Sequence, residues 1–268
     1  MSPETEVCIL IPHYGETSEL LVSLQSIVEE RVVAVVVVDD GSPSPPQLAE
    51  LERACHPNTR LSLIVLGANH GIEAALNHGL RFALERGHGF IARLDSGDTV
   101  APNRFAKQQR YMNEHALDLC GTWVDFVSVA GERLFTLRHP VDHAEILRSI
   151  KMFNPFVHPS VMMRRDYVVQ NGFYPEDYPA LEDWAYFMRG RMIGRMGNMP
   201  EVLTTYVVSP TSISSRRRFR QSLSKLQLQL AYFEMNRESV LGLGRSLLAL
   251  LFPRNLLTAL KGRVHGFR

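Results

Sequence analysis

The sequence predicts a doubly wound α/β fold, with a mostly parallel sheet flanked by helices, and three observations lead there. Val32 to Val38 is almost wholly β-branched and has no polar face, the pattern of a strand buried on both sides of a parallel sheet. Short apolar runs alternate with segments of helical spacing through the first third of the chain. Two of those runs stop abruptly in acidic, glycine-containing loops, Asp39-Asp40-Gly41-Ser42 and Asp95-Ser96-Gly97-Asp98. In open α/β sheets ligands bind outside the carboxyl ends of the strands, so these two loops mark the expected site.

Taken in order, Val7 to Pro12 is the first strand, ending at His13-Tyr14-Gly15. Leu20, Leu21, Leu24, Ile27 and Val28 give Thr17 to Glu30 a helical face. After the Val32–Val38 strand comes a Pro-rich turn, then a helix over Gln47–Cys55 and a strand over Leu61–Leu66. The loop Gly67 to Gly71 leads into a helix over Ile72–Arg86, and Phe90–Leu94 is the fourth strand. Beyond Asp98 the rhythm changes. A helix is expected over Asn103–His115, two strands within Leu119–Arg138 joined near Ala130-Gly131, and a helix over Asp142–Met152. The loop Asn154 to Ser160 enters a strand-like run at Val161–Met163, Glu182-Asp183-Trp184 stands at a helix start, and Val202–Val208 is a late strand.

The 268 residues fit one large domain with an appendage, and 45% hydrophobic residues suffice for a real core. A net charge of +1 hides an asymmetry: the segment from Arg216 to Arg268 carries +9 and the preceding residues −8. Cys8, Cys55 and Cys120 are scattered without metal-ligand spacing, which points to free thiols in a reducing compartment. The acidic N-terminus has no secretory pattern. The longest apolar run, near Val240–Phe252, is broken by Arg245 and is too short to span a bilayer of about 20 residues per helix. A cytoplasmic protein is expected. No Gly-x-Gly-x-x-Gly follows the first strand and no Gly-Lys-Ser/Thr occurs, which argues against dinucleotide and P-loop chemistry.

The acids carry the chemistry. Asp95 and Asp98 at a strand end suit a hard divalent cation, which prefers oxygen ligands; the same residues also suit a turn capping the helix after Pro102. Glu182-Asp183 can supply a general base, or serve the positive end of a helix.

Four stretches in order, Ile9 to Tyr14, Val38 to Ser42, Arg93 to Asp98 and Glu182-Asp183-Trp184, resemble those of a family 2 glycosyltransferase with the GT-A fold. Asn69-His70-Gly71 with Asn77, and Asn154 to Ser160, also look like family segments, so the resemblance covers roughly residues 6 to 210. It implies a Rossmann-like GT-A domain over 1–215, with a nucleotide-sugar part over about 1–100 and an acceptor part over about 101–215. Pro12, Tyr14, Asp40, Asn69, Gly71, Arg93 and Asp95 would bind the donor, a UDP- or TDP-linked sugar. Asp98 and Asp95 would hold Mg²⁺ or Mn²⁺. Asp183 would be the base, with Glu182 orienting or tuning it, and His158 and Trp184 would meet the acceptor. His158 and Trp184 also have structural readings, and Arg93 can equally neutralise Asp95. The sequence departs from the family's Asp-x-Asp-Asp at Gly97, where the usual metal-binding acid is missing. The metal is still implied, because two carboxylates beside a diphosphate repel by about 4 kcal/mol per pair at about 4 Å.

Residues 216–268 read as a basic, amphipathic helical extension. Apolar stripes with Lys and Arg on the other side fit peripheral attachment to the inner face of the cell membrane, or packing on the body or on a second copy in a homo-oligomer. Nucleic acid is disfavoured, because the aromatics do not alternate with the basic residues. The expected activity is inverting, metal-assisted transfer of a hexose to a saccharide or lipid-linked saccharide during assembly of a bacterial surface glycan. Two competitors are a sugar nucleotidyltransferase, which would carry a Gly-rich basic loop after strand one, and a non-catalytic membrane-associated scaffold of the same fold.

Overall fold

The computed structural model describes residues 6–208 and 218–251. A nine-stranded sheet in the order β3-β2-β1-β4-β8-β6-β9-β5, with β7 paired to β6, divides into two halves. In the first half, β1 (Val7–His13), β2 (Val33–Asp39), β3 (Thr59–Val65) and β4 (Phe90–Arg93) are all parallel. Three helices connect them: α1 (Thr17–Ser26), α2 (Leu48–Ala54) and α3 (Ile72–Glu85). All seven positions of β2 are buried, as its β-branched run demands.

Alternate residues of the strands serve opposite faces. Leu10, Val36 and Val38 join Leu76 and Leu80 of α3 in one core, while Ile9, Ile11, Val35 and Val37 join Leu20 and Leu24 of α1 in the other. The period-2 pleat thus sandwiches the sheet between two helical layers.

The second half contains β5 (Thr99–Val100), α4 (Arg104–Glu114), β6 (Leu119–Ser128), β7 (Arg133–Leu137) and α5 (His143–Ser149). A 3₁₀ turn (His158–Ser160), β8 (Met162–Arg164), α6 (Arg165–Asn171), α7 (Glu182–Gly190) and β9 (Met196–Val208) complete it. β8 runs antiparallel between β4 and β6 and joins the halves. β9 begins six residues before the expected strand. Gly197, Asn198 and Pro200 read as turn formers, yet a register shift opposite Thr122 and Trp123 bulges out Pro200 and Glu201 and lets pairing continue. Neither β5 nor α6 is visible in the sequence pattern, because each is only two or seven residues long.

Of the basic extension, residues 218–251 form α8 (Arg218–Ala231) and α9 (Arg237–Leu251). They pack on each other and on the body. Leu228 is fully buried in the main core, Gln229 donates to the Lys151 carbonyl, and Glu234 pairs with Lys151 and Arg191. Arg216, Arg217 and the basic, leucine-containing stretch 252–268 lie outside the described residues.

Candidate active site

The loops after β1, β2 and β4 meet at the carboxyl end of the parallel half. Asp39 and Asp40 terminate β2 and use their carboxylates to fix neighbouring loops. Asp39 accepts hydrogen bonds from the Ser42 amide and hydroxyl, and the Ser42 oxygen in turn accepts the Gly15 N–H at 2.9 Å. Asp40 accepts the backbone N–H groups of His70 and Gly71, both at 2.9 Å. Gly41 makes this convergence possible. Its φ is +71°, and a Cβ there would lie 2.3 Å from the carbonyl carbon of Ala68. Tyr14 is 57% exposed, Pro12 is half-buried and Asn69 is exposed.

At the end of β4, Arg93 is wholly buried and acts as a hub. Its guanidinium donates to Asp95 at 2.5 Å and to the Leu10 carbonyl at 3.2 Å, and its Nε faces His158 Nε2 at 3.4 Å. Asp95 keeps its other oxygen and is 29% exposed. His158 Nε2 also lies 2.9 Å from the Tyr174 hydroxyl. Burial, and then the Arg93 charge, hold the His158 imidazole well below its ordinary pKa, so the ring is neutral.

Asp98 turns inward. The Val207 N–H of β9 donates to its Oδ1 at 2.9 Å, while its Oδ2 is buried without a hydrogen-bond partner. Burial, followed by the Asp95 charge, raises its pKa well above the usual carboxylate range; the Val207 N–H, Arg104 and Arg93 oppose that rise.

Asp183 and Glu182 open α7. Asn154 donates to Asp183 Oδ2 at 2.8 Å and the Trp184 N–H to Oδ1 at 2.6 Å. Burial pushes the Asp183 pKa up to about 6, with the Asp95 charge adding to it and Arg93 opposing. Asp183 therefore feels the charges at the end of β4. Glu182 is 8% exposed, its Oε2 has no partner, and burial followed by the Asp183 charge lifts its pKa to about 8. Tyr206 of β9 lies among the same acids: burial, then Asp95, Asp98 and Asp183, raise its phenol to about 12.

Two expected acceptor contacts are corrected by burial. Trp184 is 2% exposed, and its indole N–H donates to the Ile150 carbonyl at 2.8 Å, so its ring belongs to the core. One step of about 100° around α7 turns Trp184 inward while Asp183 stays at the rim. His158 is buried between Arg93 and Tyr174 and supports the site from beneath. The sequence reading assigned no role to Asn154, Tyr174 or Tyr206. Asn154 and Tyr174 act through contacts 29 and 16 residues distant, which no local pattern encodes.

Among the described residues no three His, Cys, Asp or Glu side chains gather into a ready-made metal cage. The orphaned Asp98 Oδ2 and the second Asp95 oxygen nevertheless fit a hard cation that completes its shell from a diphosphate and water. Gly97 takes φ +96°, its amide bonded to Ser23 Oγ at 2.8 Å, so the position of the missing acid is used to turn the loop.

The chain is similar to known proteins along most of its length. Residues 8–173 match the profile of Glycosyl transferase family 2. The amylovoran biosynthesis glycosyltransferase AmsE of Erwinia amylovora is 31% identical over 210 residues, 76% of each chain. The Escherichia coli UDP-Gal:alpha-D-GlcNAc-diphosphoundecaprenol beta-1,3-galactosyltransferase is 26% identical, over 99% of this chain and 97% of that protein. Among solved structures, S. aureus TarS 1–349 in complex with UDP-GlcNAc superposes with a TM-score of 0.65 at 17% identity, over 91% of this chain and 72% of that one. Against a longer TarS structure the chain spans 41% of the partner. The mannosyltransferase PcManGT from Pyrobaculum calidifontis, in complex with GDP-Man and Mn²⁺, gives 0.64 at 17% identity, over 98% and 81%. These structural likenesses establish a GT-A fold. With the profile spanning more than half of the 268 residues, the chain belongs to glycosyl transferase family 2.

Proposed function

We propose that this glycosyltransferase moves a hexose from a UDP- or TDP-linked donor to a saccharide or lipid-linked saccharide acceptor in bacterial surface-polysaccharide assembly, with inversion at the anomeric carbon. The observation that carries the reading is Asp183, a carboxylate fixed by Asn154 and shifted to about 6 beside the acids at the end of β4. At neutral pH it is ionised yet basic enough to take a proton from an acceptor hydroxyl. As that proton passes to Asp183, the acceptor oxygen bonds to the anomeric carbon and the bond to the diphosphate breaks. A single displacement of this kind inverts the configuration. Glu182, at about 8, stays protonated and adds no competing charge beside the base.

Pro12, Tyr14, Asn69 and Gly71 border the place for the nucleotide, with Asp40 holding the His70-Gly71 loop and keeping lone pairs for a base N–H. Arg93 holds Asp95 and offsets the negative charge of the pocket. Asp95 and Asp98 would hold Mg²⁺ or Mn²⁺. When bound, the cation supplies counter-charge to the departing diphosphate. Relatives support the substrate class: the name of one specifies UDP-Gal and a diphosphoundecaprenol-linked GlcNAc, and a structural neighbour holds UDP-GlcNAc. Hydrolysis of UDP- and TDP-sugars, followed with and without EDTA and restored by Mn²⁺, is the test. Metal-independent turnover would overturn the cation's role, and no turnover with any donor would overturn the transfer reading.

The same proposal includes peripheral attachment to the membrane. No described helix is long and apolar enough to cross a bilayer. Helices α8 and α9 and the turn between them instead leave Leu230, Phe233, Val240, Leu241, Leu247 and Leu248 exposed, in the segment that carries the excess of basic residues. The chain should float with anionic vesicles, and Leu247→Gln combined with Leu248→Gln should reduce that recovery. Unchanged recovery, with a dimer that the double variant dissociates, would make the face a contact between two copies.

A further inference from the structure

A cavity lies between β6, the segment after β7 and α5, and no role has been given to it. It has a volume of about 790 Å³ and is walled by Trp123 of β6, by Arg138, His139 and Asp142 after β7, by Glu145 of α5 and by Phe153. That is the size of a small-molecule site. We propose that it holds a pyranose unit of the acceptor; the inference rests on the transferase reading and extends it to how the acceptor is gripped.

The walls match a sugar ring. The Arg138 guanidinium carbon stands 5.4 Å from the centre of the Trp123 ring, and the His139 and Phe153 rings stack at 6.0 Å. Trp123 is held in place by its N–H donating to the His139 carbonyl at 3.2 Å. Burial lowers the His139 pKa to about 4, so the imidazole is neutral, with one donor and one acceptor nitrogen. A pyranose has apolar C–H faces and a belt of hydroxyls that both donate and accept. Aromatic rings meet the faces, Asp142 and Glu145 accept from the hydroxyls, and Arg138 donates to them. The two carboxylates disfavour a phosphate, and the charged rim disfavours an acyl chain.

The cavity is also coupled to the base. Phe153 immediately precedes Asn154, whose amide holds Asp183. The Asn198 amide donates to the carbonyls of Pro140 at 2.7 Å and Pro155 at 3.0 Å, pinning the cavity wall to the loop that carries Asn154. An acceptor whose terminal hydroxyl reaches Asp183 can therefore seat a neighbouring sugar here.

The chain has two tryptophans, and Trp184 is buried, so Trp123 emission reports on the cavity. The full chain is titrated with the methyl α- and β-glycosides of glucose, galactose and N-acetylglucosamine. The expected result is a saturable emission change with at least one glycoside, absent in Trp123→Phe and weakened about fivefold or more in Glu145→Gln and Phe153→Ala. No saturable change with any glycoside, or equal affinity in both variants, overturns the proposal. Nucleotide-sugar hydrolysis by the unmodified chain, measured without acceptor, reports separately on the transferase reading. Hydrolysis without a glycoside response overturns the subsite alone; a glycoside response without hydrolysis overturns the transfer reading and, with it, the acceptor role of the cavity.

Discussion

The carboxylates on the two sides of the sheet are treated differently. In the parallel half, Asp39 and Asp40 have every oxygen engaged by an N–H or O–H of a neighbouring loop. In the mixed half, Asp98 and Glu182 each bury an oxygen with no donor, and both have raised pKa values. Satisfied buried acids fix a scaffold, whereas unsatisfied ones cost about 1–3 kcal/mol each and persist where a ligand, cation or proton completes them. The first half is thus built to hold a shape, and the second is poised for chemistry.

The largest expected effect lies in the poised half. Asp183→Asn should lower transfer by about 10²–10⁴-fold, while calorimetry shows donor affinity unchanged, because the isosteric amide keeps the side chain's shape and one of its two accepted hydrogen bonds. Equal loss of donor binding would place Asp183 in the scaffold and erase the contrast.

Next comes the scaffold. Asp40→Ala strips two backbone N–H groups of their acceptor and should cost about 2–4 kcal/mol in denaturant unfolding. A loss of activity at full stability would instead mark Asp40 as a purely ligand-binding acid.

The smallest effect is in pH dependence. Burial raises Glu182 from 4.5 to about 8, so the unfolded chain ionises first and stability falls as pH climbs through that interval. Asp183, raised from 3.8 to about 6, adds slope in the lower part of it. The ligand-free chain should therefore melt at a lower temperature at pH 8 than at pH 5, and Glu182→Gln should flatten the difference. A profile identical in the variant would show that Glu182 is solvated.

Much of the parallel half was legible because its signals are local. A strand covered on both faces leaves no polar position, so Val32–Val38 declares itself and Asp39-Asp40 declares where it ends. The mixed half was read less well. β8 is three residues long, yet its pairing with Phe90, Ile91 and Ala92 carries Val161 to Arg93 and with it His158. Nothing within a short window of Val161–Met163 selects β4 as its neighbour. Trp184 shows the same limit in one residue, since helical spacing permits either a rim or a core position until the phase of α7 is known.

By itself the sequence determined the alternation of strands and helices, the acidic loops at the strand ends and the family to which they belong. Those follow from periodicity and residue type, which act over a few positions along the chain. Only the tertiary structure decided that Arg93, His158 and Tyr174 form one buried chain of contacts, that Asn154 holds Asp183, and that Trp184 lies in the core. Those depend on which strands become neighbours and on which atoms lose their water, and both are settled by packing across the whole molecule.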